Sequence, residues 1–185
     1  MTKIYIIDLK KLNIKSKKDI KALYTSCLKS MLFKDYNILI NDDSINKDEY
    51  NKPYINDDIY FNISHSNNLL VIAISKYNCG VDVEMIVHDE KHLKLCDKIL
   101  SINEKKEYEK MTDKYDYLFR KWTEKEAYFK CKGKGIIYSQ LKKEVNEKNK
   151  FVKKINYEND YYLSLYLDTE IIKENIQIID YKLGE

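Results

Sequence analysis

The sequence predicts an α+β fold built as two small lobes. Short β-rich runs are grouped as one strand, then three, then three. Long stretches between the groups keep helical spacing, and no fixed-period repeat suggests a solenoid. Ile4 to Leu9 reads as the first strand. Ser16 stands where a helix cap is needed, and Ile20, Leu23, Tyr24, Cys27, Leu28, Met31 and Leu32 keep one apolar stripe to about Phe33. Asn41 to Asp58 is polar, contains Pro53 and reads as a loop. Ile59 to Ser64 and Leu69 to Lys76 read as strands separated by His65-Ser66-Asn67-Asn68, and Cys79 to Met85 as a third strand opened by Gly80. Asp89 to Leu100 and Glu104 to Met111 read as helices. Asp113 to Cys131 is the strongest helix, with Tyr115, Leu118, Phe119, Trp122 and Phe129 on one stripe and Gly133-Lys134-Gly135 as its stop. Phe151 to Tyr157, Tyr161 to Asp168 and Glu174 to Leu183 close the chain as strands. The expected division is one lobe over 1–86 and another over 87–185, packed as a compact unit.

Composition narrows the function classes. The 185 residues include 33 Lys+Arg against 30 Asp+Glu, a surplus of only +3, and Arg120 is the sole arginine. So small a surplus, without the bidentate base reader, does not call for a nucleic-acid partner. At 44% hydrophobic the chain can bury a core of its own. The opening apolar run is too short for a signal core, and no stretch approaches a membrane span, so a soluble, cytoplasmic protein is expected. Cys27, Cys79, Cys96 and Cys131 form no CxxC pair and are expected as free thiols.

Three stretches carry residue types suited to chemistry. In Val81-Asp82-Val83-Glu84, strand alternation aims both carboxylates to one side; the pair suits Mg²⁺ beside a phosphate, or is simply the solvent face of an edge strand. In Trp122 to Lys130, Glu126 falls on the apolar stripe with Lys130 one turn on. That is either an ion pair or a metal ligand beside a phosphate-binding lysine. In Phe61 to Ser66, the Ser64-His65-Ser66 cluster can donate to a phosphate, or its histidine can be satisfied by its own turn. His88, His92 and Cys96 imitate a metal stripe, but eight helical residues rise about 12 Å, too far for one tetrahedral ion. There is no GxxxxGK[ST] loop, no GxGxxG after a strand and no GxSxG.

Taken in order, Lys52-Pro53, Phe61 to Ser66, Gly80 to Glu84, Trp122 to Lys130 and Gly133 to Gly135 resemble the motifs of the Sfp-type 4′-phosphopantetheinyl transferases. The resemblance covers about Lys52 to Gly135. It implies two pseudo-twofold-related α+β lobes with coenzyme A in the cleft between them. The implied reaction is transfer of phosphopantetheine from coenzyme A to a serine of an apo acyl or peptidyl carrier protein, in fatty-acid, polyketide or nonribosomal peptide synthesis. A monomer is expected. The other reading carried forward is a coenzyme A or nucleotide-binding module with lost or weak transfer.

The resemblance also implies roles. Asp82, Glu84 and Glu126 hold Mg²⁺, or Mn²⁺ in its place; Lys130 reaches the pyrophosphate; His65 and Ser64 bind phosphate; Lys52 and Pro53 meet the adenosine end. Glu126 or Glu104 takes the carrier serine's proton, a choice left open because a metal ligand is a poor base. The family's basic segment before the first long helix is missing, so the N-terminal lobe reads as shortened, with Lys17, Lys18 and above all Lys21 left for the 3′-phosphate. Asn67 stands where the family commonly has glycine, which predicts a positive φ there.

Overall fold

The computed structural model describes residues 1–183 apart from 11, 13, 15 and 57, and of 138 and 174 the backbone only. The first half runs β1 (Thr2–Asp8), α1 (Lys17–Tyr36), β2 (Asn46–Lys47), β3 (Pro53–Tyr54), β4 (Tyr60–Ser66), β5 (Leu69–Ser75) and β6 (Cys79–Met85). The second half runs α2 (Glu90–Leu93), α3 (Cys96–Ile99), α4 (Ile102–Lys110), α5 (Lys114–Lys132), β7 (Lys150–Tyr157), β8 (Asn159–Leu167) and β9 (Ile176–Asp180). The architecture is α+β, as expected.

Two sheets pack face to face between two long helices. The first has strand order β4-β5-β1-β9 and the second β6-β8-β7. β1 and β5 are buried on both faces, which is why they read as continuous apolar runs. Ile4, Ile6, Leu69, Val71 and Ala73 meet the second sheet, while Tyr5, Ile7, Leu70, Ile72 and Ile74 meet α1. The second sheet answers with Cys79, Val81, Val83, Leu163, Leu165 and Leu167. Each Leu or Ile buried in this way contributes about 2 kcal/mol of transfer free energy. The opposite face of β6 and β8 carries Gly80, Asp82, Glu84 and Ser164 under α5, where Thr123 and Ser164 share a buried hydroxyl hydrogen bond of 2.8 Å.

Local signals explain the element ends. Ser16 caps α1 by accepting the Asp19 N–H, and Asn37, at φ 56, stops it. Asp113 caps α5 in the same way, and Gly133, at φ 71, ends it. Asn67 has φ 49 in the β4–β5 turn, as its place in the motif predicted. The helix expected over 89–100 forms instead as two single turns, α2 and α3. Tight bonds from Leu95 N to His92 O and from Lys98 N to Leu95 O break the α-helical period. They bring Leu93, Cys96 and Ile99 onto Tyr117 and Leu118 of α5. The expected polar loop contains a minimal β2–β3 hairpin, and its residue 57 lies outside the described residues.

The sheets do not divide the chain at residue 86. β6 pairs only in the second sheet, antiparallel to β8, and β9 returns to the first sheet, parallel to β1. Backbone strand pairing therefore places the FNISHS strand and the DVE strand in different sheets. The last strand ties the end of the chain to its beginning.

Gly80 permits the close contact of β6 with α5. A Cβ there would lie 2.0 Å from the Ala127 carbonyl oxygen and 2.3 Å from the Cys131 nitrogen. Both obstacles are backbone and cannot swing aside. Gly80→Ala is expected to cost about 3 kcal/mol or more, seen as a lower urea midpoint than wild type.

Candidate functional site

β6 is an edge strand, and its outer N–H groups face β4 without a backbone ladder. Side chains take the place of the missing strand. Asn62 Oδ1 accepts from Val81 N at 2.8 Å, Ser64 Oγ from Val83 N at 3.4 Å and Ser66 Oγ from Met85 N at 3.2 Å. These three residues lie at every second position of β4, on its inner face, which is why one strand supplies all three acceptors.

The same hydroxyls grip the carboxylates. Ser64 Oγ donates to Asp82 Oδ1 at 2.8 Å and accepts from Lys130 Nζ at 2.9 Å, and Lys130 Nζ also reaches Asp82 Oδ1 at 2.7 Å. Ser66 Oγ donates to Glu84 Oε2 at 2.8 Å. From α5, Trp122, Glu126 and Lys130 stand four residues apart on one face, and Trp122 lies beside Glu84 and favours its ionised form. Glu84 and Trp122 also line an apolar cavity of about 220 Å³ with His92, Leu95, Ile99, Leu118 and Phe119.

The electrostatics of this cluster are strained. Burial, then Asp82 and Glu84, push Glu126 up to about 7 against the pull of Lys130. Burial and Asp82 raise Glu84 as well, opposed by Ser66, Lys130 and Trp122. Asp82 is 2% exposed, and its Oδ2 is buried without a hydrogen-bond partner among the described residues. His65 lies on the other face of β4; burial, Lys130 and Lys17 lower its pKa, with Asp82 opposing. Among the described residues, no three His, Cys, Asp or Glu side chains converge closely enough to cage a metal by themselves.

The structure thus brings together Asp82, Glu84, Glu126, Lys130 and Ser64, with His65 within electrostatic reach. Ser64, Lys52 and Glu104 also have partners within the protein. Ser64 uses its one donor and both lone pairs within the protein, so no capacity remains for a phosphate in this arrangement. Lys52 directs its ammonium at Asn78 Oδ1 (2.7 Å), Cys79 O (3.1 Å) and Cys131 O (3.2 Å). It pins the loop to the start of β6 and the end of α5. Glu104 is outside the cluster: it is buried, accepts from Ser101 N at 2.8 Å and pairs with Lys125 Nζ at 2.8 Å.

Lys21 is exposed and lines a groove of about 620 Å³ with Lys18, Lys29, Lys47 and Pro53. Pro53 also borders a second cavity of about 570 Å³ formed with Lys52, Phe61 and Gly133. His88 and His92 sit against Tyr115 and Phe119, with ring centroids 4.6 and 5.4 Å apart, and share no helix with Cys96. Sequence reasoning missed Asn62, Ser66 and Trp122 as holders of the site. The alternation Asn62-x-Ser64-x-Ser66 was the available signal, since three small polar residues facing inward from a strand need partners across a gap.

Comparison with known proteins gives this arrangement relatives. A family model described as the 4′-phosphopantetheinyl transferase superfamily matches residues 78–174, about half the chain. The chain is 33% identical over 150 residues to the 4′-phosphopantetheinyl transferase gsp of Aneurinibacillus migulanus, which covers 68% of this chain and 62% of that protein. It is 30% identical over 116 residues to the 4′-phosphopantetheinyl transferase Sfp of Bacillus subtilis, covering 59% of this chain and 50% of that one. The matched stretches thus span between half and two thirds of these curated relatives.

The raised Glu126 predicts a pH signature. An acid whose folded pKa is about 7 against an ordinary 4.5 destabilises the fold increasingly as pH rises between those values. In metal-free protein, Glu126→Gln should therefore be more stable than wild type above about pH 7, by about 3 kcal/mol, and the gain should vanish towards pH 4.5. Calorimetric melting across that range checks it.

Proposed function

Because the chain belongs to the 4′-phosphopantetheinyl transferase superfamily, we propose that it moves the phosphopantetheine group of coenzyme A onto a serine of an apo acyl or peptidyl carrier protein. The observation that carries this reading is the seam itself. Three carboxylates and one lysine, drawn from β6 and α5, crowd a junction where Asp82 keeps one buried oxygen without a hydrogen-bond partner among the described residues.

Those residues fit a divalent cation. The donors are hard oxygens, the orphaned Asp82 Oδ2 needs a partner, and Glu84 and Glu126 are each raised by neighbouring carboxylates. Asp82, Glu84 and Glu126 would hold Mg²⁺ or Mn²⁺, with diphosphate oxygens of coenzyme A completing the shell. Once bound, the cation supplies neutralisation of the charge that builds on the departing phosphate.

The protein's own groups supply the rest. The carrier serine oxygen bonds to the phosphorus that bears pantetheine, the bond to the bridging oxygen breaks, and adenosine 3′,5′-bisphosphate leaves with the electron pair. The serine proton passes to Glu126, because Glu104 is held by Lys125 away from the cluster. Lys130, already directed into the site, hydrogen-bonds the leaving phosphate. His65, its pKa lowered by partial desolvation and by Lys130 and Lys17, donates an N–H to a phosphate oxygen, and Lys21 with Lys18 takes the 3′-phosphate along the α1 groove.

A second reading is a coenzyme A binder without efficient transfer. It is favoured by the absence of a preformed three-ligand cage among the described residues and by the pairing of Lys130 with Asp82. One experiment separates the two. Protein, Mg²⁺, coenzyme A and an apo carrier are mixed, and the carrier's intact mass is recorded. The transferase reading expects a gain of one phosphopantetheine, reduced on the order of 100-fold or more in initial rate by Asp82→Asn or Lys130→Ala. Coenzyme A binding with no mass gain on any carrier tested selects the binder.

A further inference from the structure

We infer that Ser66 and Trp122 are positioning residues that hold the Glu84 carboxylate in place before any metal arrives. The inference rests on the metal-holding role proposed for Glu84.

Glu84 lies near the open end of β6, is only partly buried, and has burial and Asp82 acting against its charge. Left alone, such a side chain would swing to solvent. It is clamped instead from two sides of the seam. Ser66 Oγ donates to Oε2 at 2.8 Å, and the same oxygen accepts the Met85 backbone N–H at 3.2 Å, which locks the hydroxyl to the backbone one residue beyond Glu84. On the other side stands Trp122, which lines the same apolar cavity as Glu84, packs on the Leu118 cluster and favours the ionised carboxylate. Ser66 belongs to the first sheet and Trp122 to α5 over the second, so Glu84 keeps its position only while both remain docked. An indole N–H and a hydroxyl that has given its lone pair to a backbone N–H are donors a carboxylate can use without being protonated. Each leaves the other carboxylate lone pairs available to a cation. Asn62 satisfies the same strand edge but, among the described residues, makes no hydrogen bond to a carboxylate, which separates structural support from positioning.

Trp122 is the only tryptophan in the chain, so the site carries its own probe. Mg²⁺ is titrated into the full chain, with and without coenzyme A, while indole fluorescence and calorimetric heat are followed. Wild type should give a saturable fluorescence change that Glu84→Gln abolishes. Ser66→Ala should raise the midpoint about 10-fold, and Ser66→Thr, which keeps the hydroxyl, should restore it to within about twofold. Trp122→Phe, read by calorimetry, should also weaken Mg²⁺ about 10-fold. Asn62→Ala should lower the unfolding midpoint and leave the Mg²⁺ midpoint unchanged. In turnover, Ser66→Ala should raise the apparent KM for Mg²⁺ with little change in kcat.

An unchanged Mg²⁺ midpoint in Ser66→Ala and Trp122→Phe would overturn the inference, as would an equal shift in Asn62→Ala or no Mg²⁺ binding by wild type in either condition. Failure of carrier modification alongside a shifted Ser66→Ala midpoint would count against the transferase reading and leave this inference standing.

Discussion

The separation of α5 from β6 governs the site. It is set by the hydrogen atom that stands for a side chain at Gly80. Ala127 and Cys131 of the helix press their backbone into that space. Glu126 and Lys130 flank Ala127 on the helix, so the contact that seats the backbone also lowers their side chains to the level of Asp82 and Glu84. A larger residue would move the helix outward and open the Lys130–Asp82 pair, which depends on 2.7 Å contact in a partly dry environment.

Once the helix is seated, the chemistry of the seam follows from hydrogen-bond arithmetic. Two sheets that pack face to face leave an edge strand unpaired, and buried backbone N–H groups cannot remain so. β4 answers with an amide and two hydroxyls. Because a hydroxyl that accepts from a backbone N–H still has a proton to donate, each serine also fastens a carboxylate. The lobe junction and the acidic cluster are therefore one network, and loosening one loosens the other.

Helix α5 splits its charged residues between two tasks. Lys125 and Glu126 are adjacent in sequence but about 100° apart around the helix. Lys125, 1% exposed, turns to Glu104 and the Lys143 carbonyl and anchors α4; Lys121 and Lys150 extend this network through Glu124. Burial lowers the Lys125 pKa, and Glu104 opposes that by holding the ammonium charged. Removing either partner would strand a buried charge, so this network is structural in a way that the less enclosed Lys130 pair is not.

Much of this was legible in the chain. Alternation placed Asp82 with Glu84 and set Val81 and Val83 apart from them, and helical spacing put Trp122, Glu126 and Lys130 on one face. These are local properties, written in periods of two and 3.6, so sequence alone determined them. The lobe boundary, the isolation of Glu104 and the commitments of Ser64 and Lys52 were not legible. Each depends on which distant strand lies alongside β6, on the return of β9 to β1, and on where the ends of β6 and α5 meet. Tertiary structure decided these points because a donor or acceptor has only a few bonds to give. Which partner receives them is fixed by what packing brings within 3 Å, a distance that spacing along the chain does not encode.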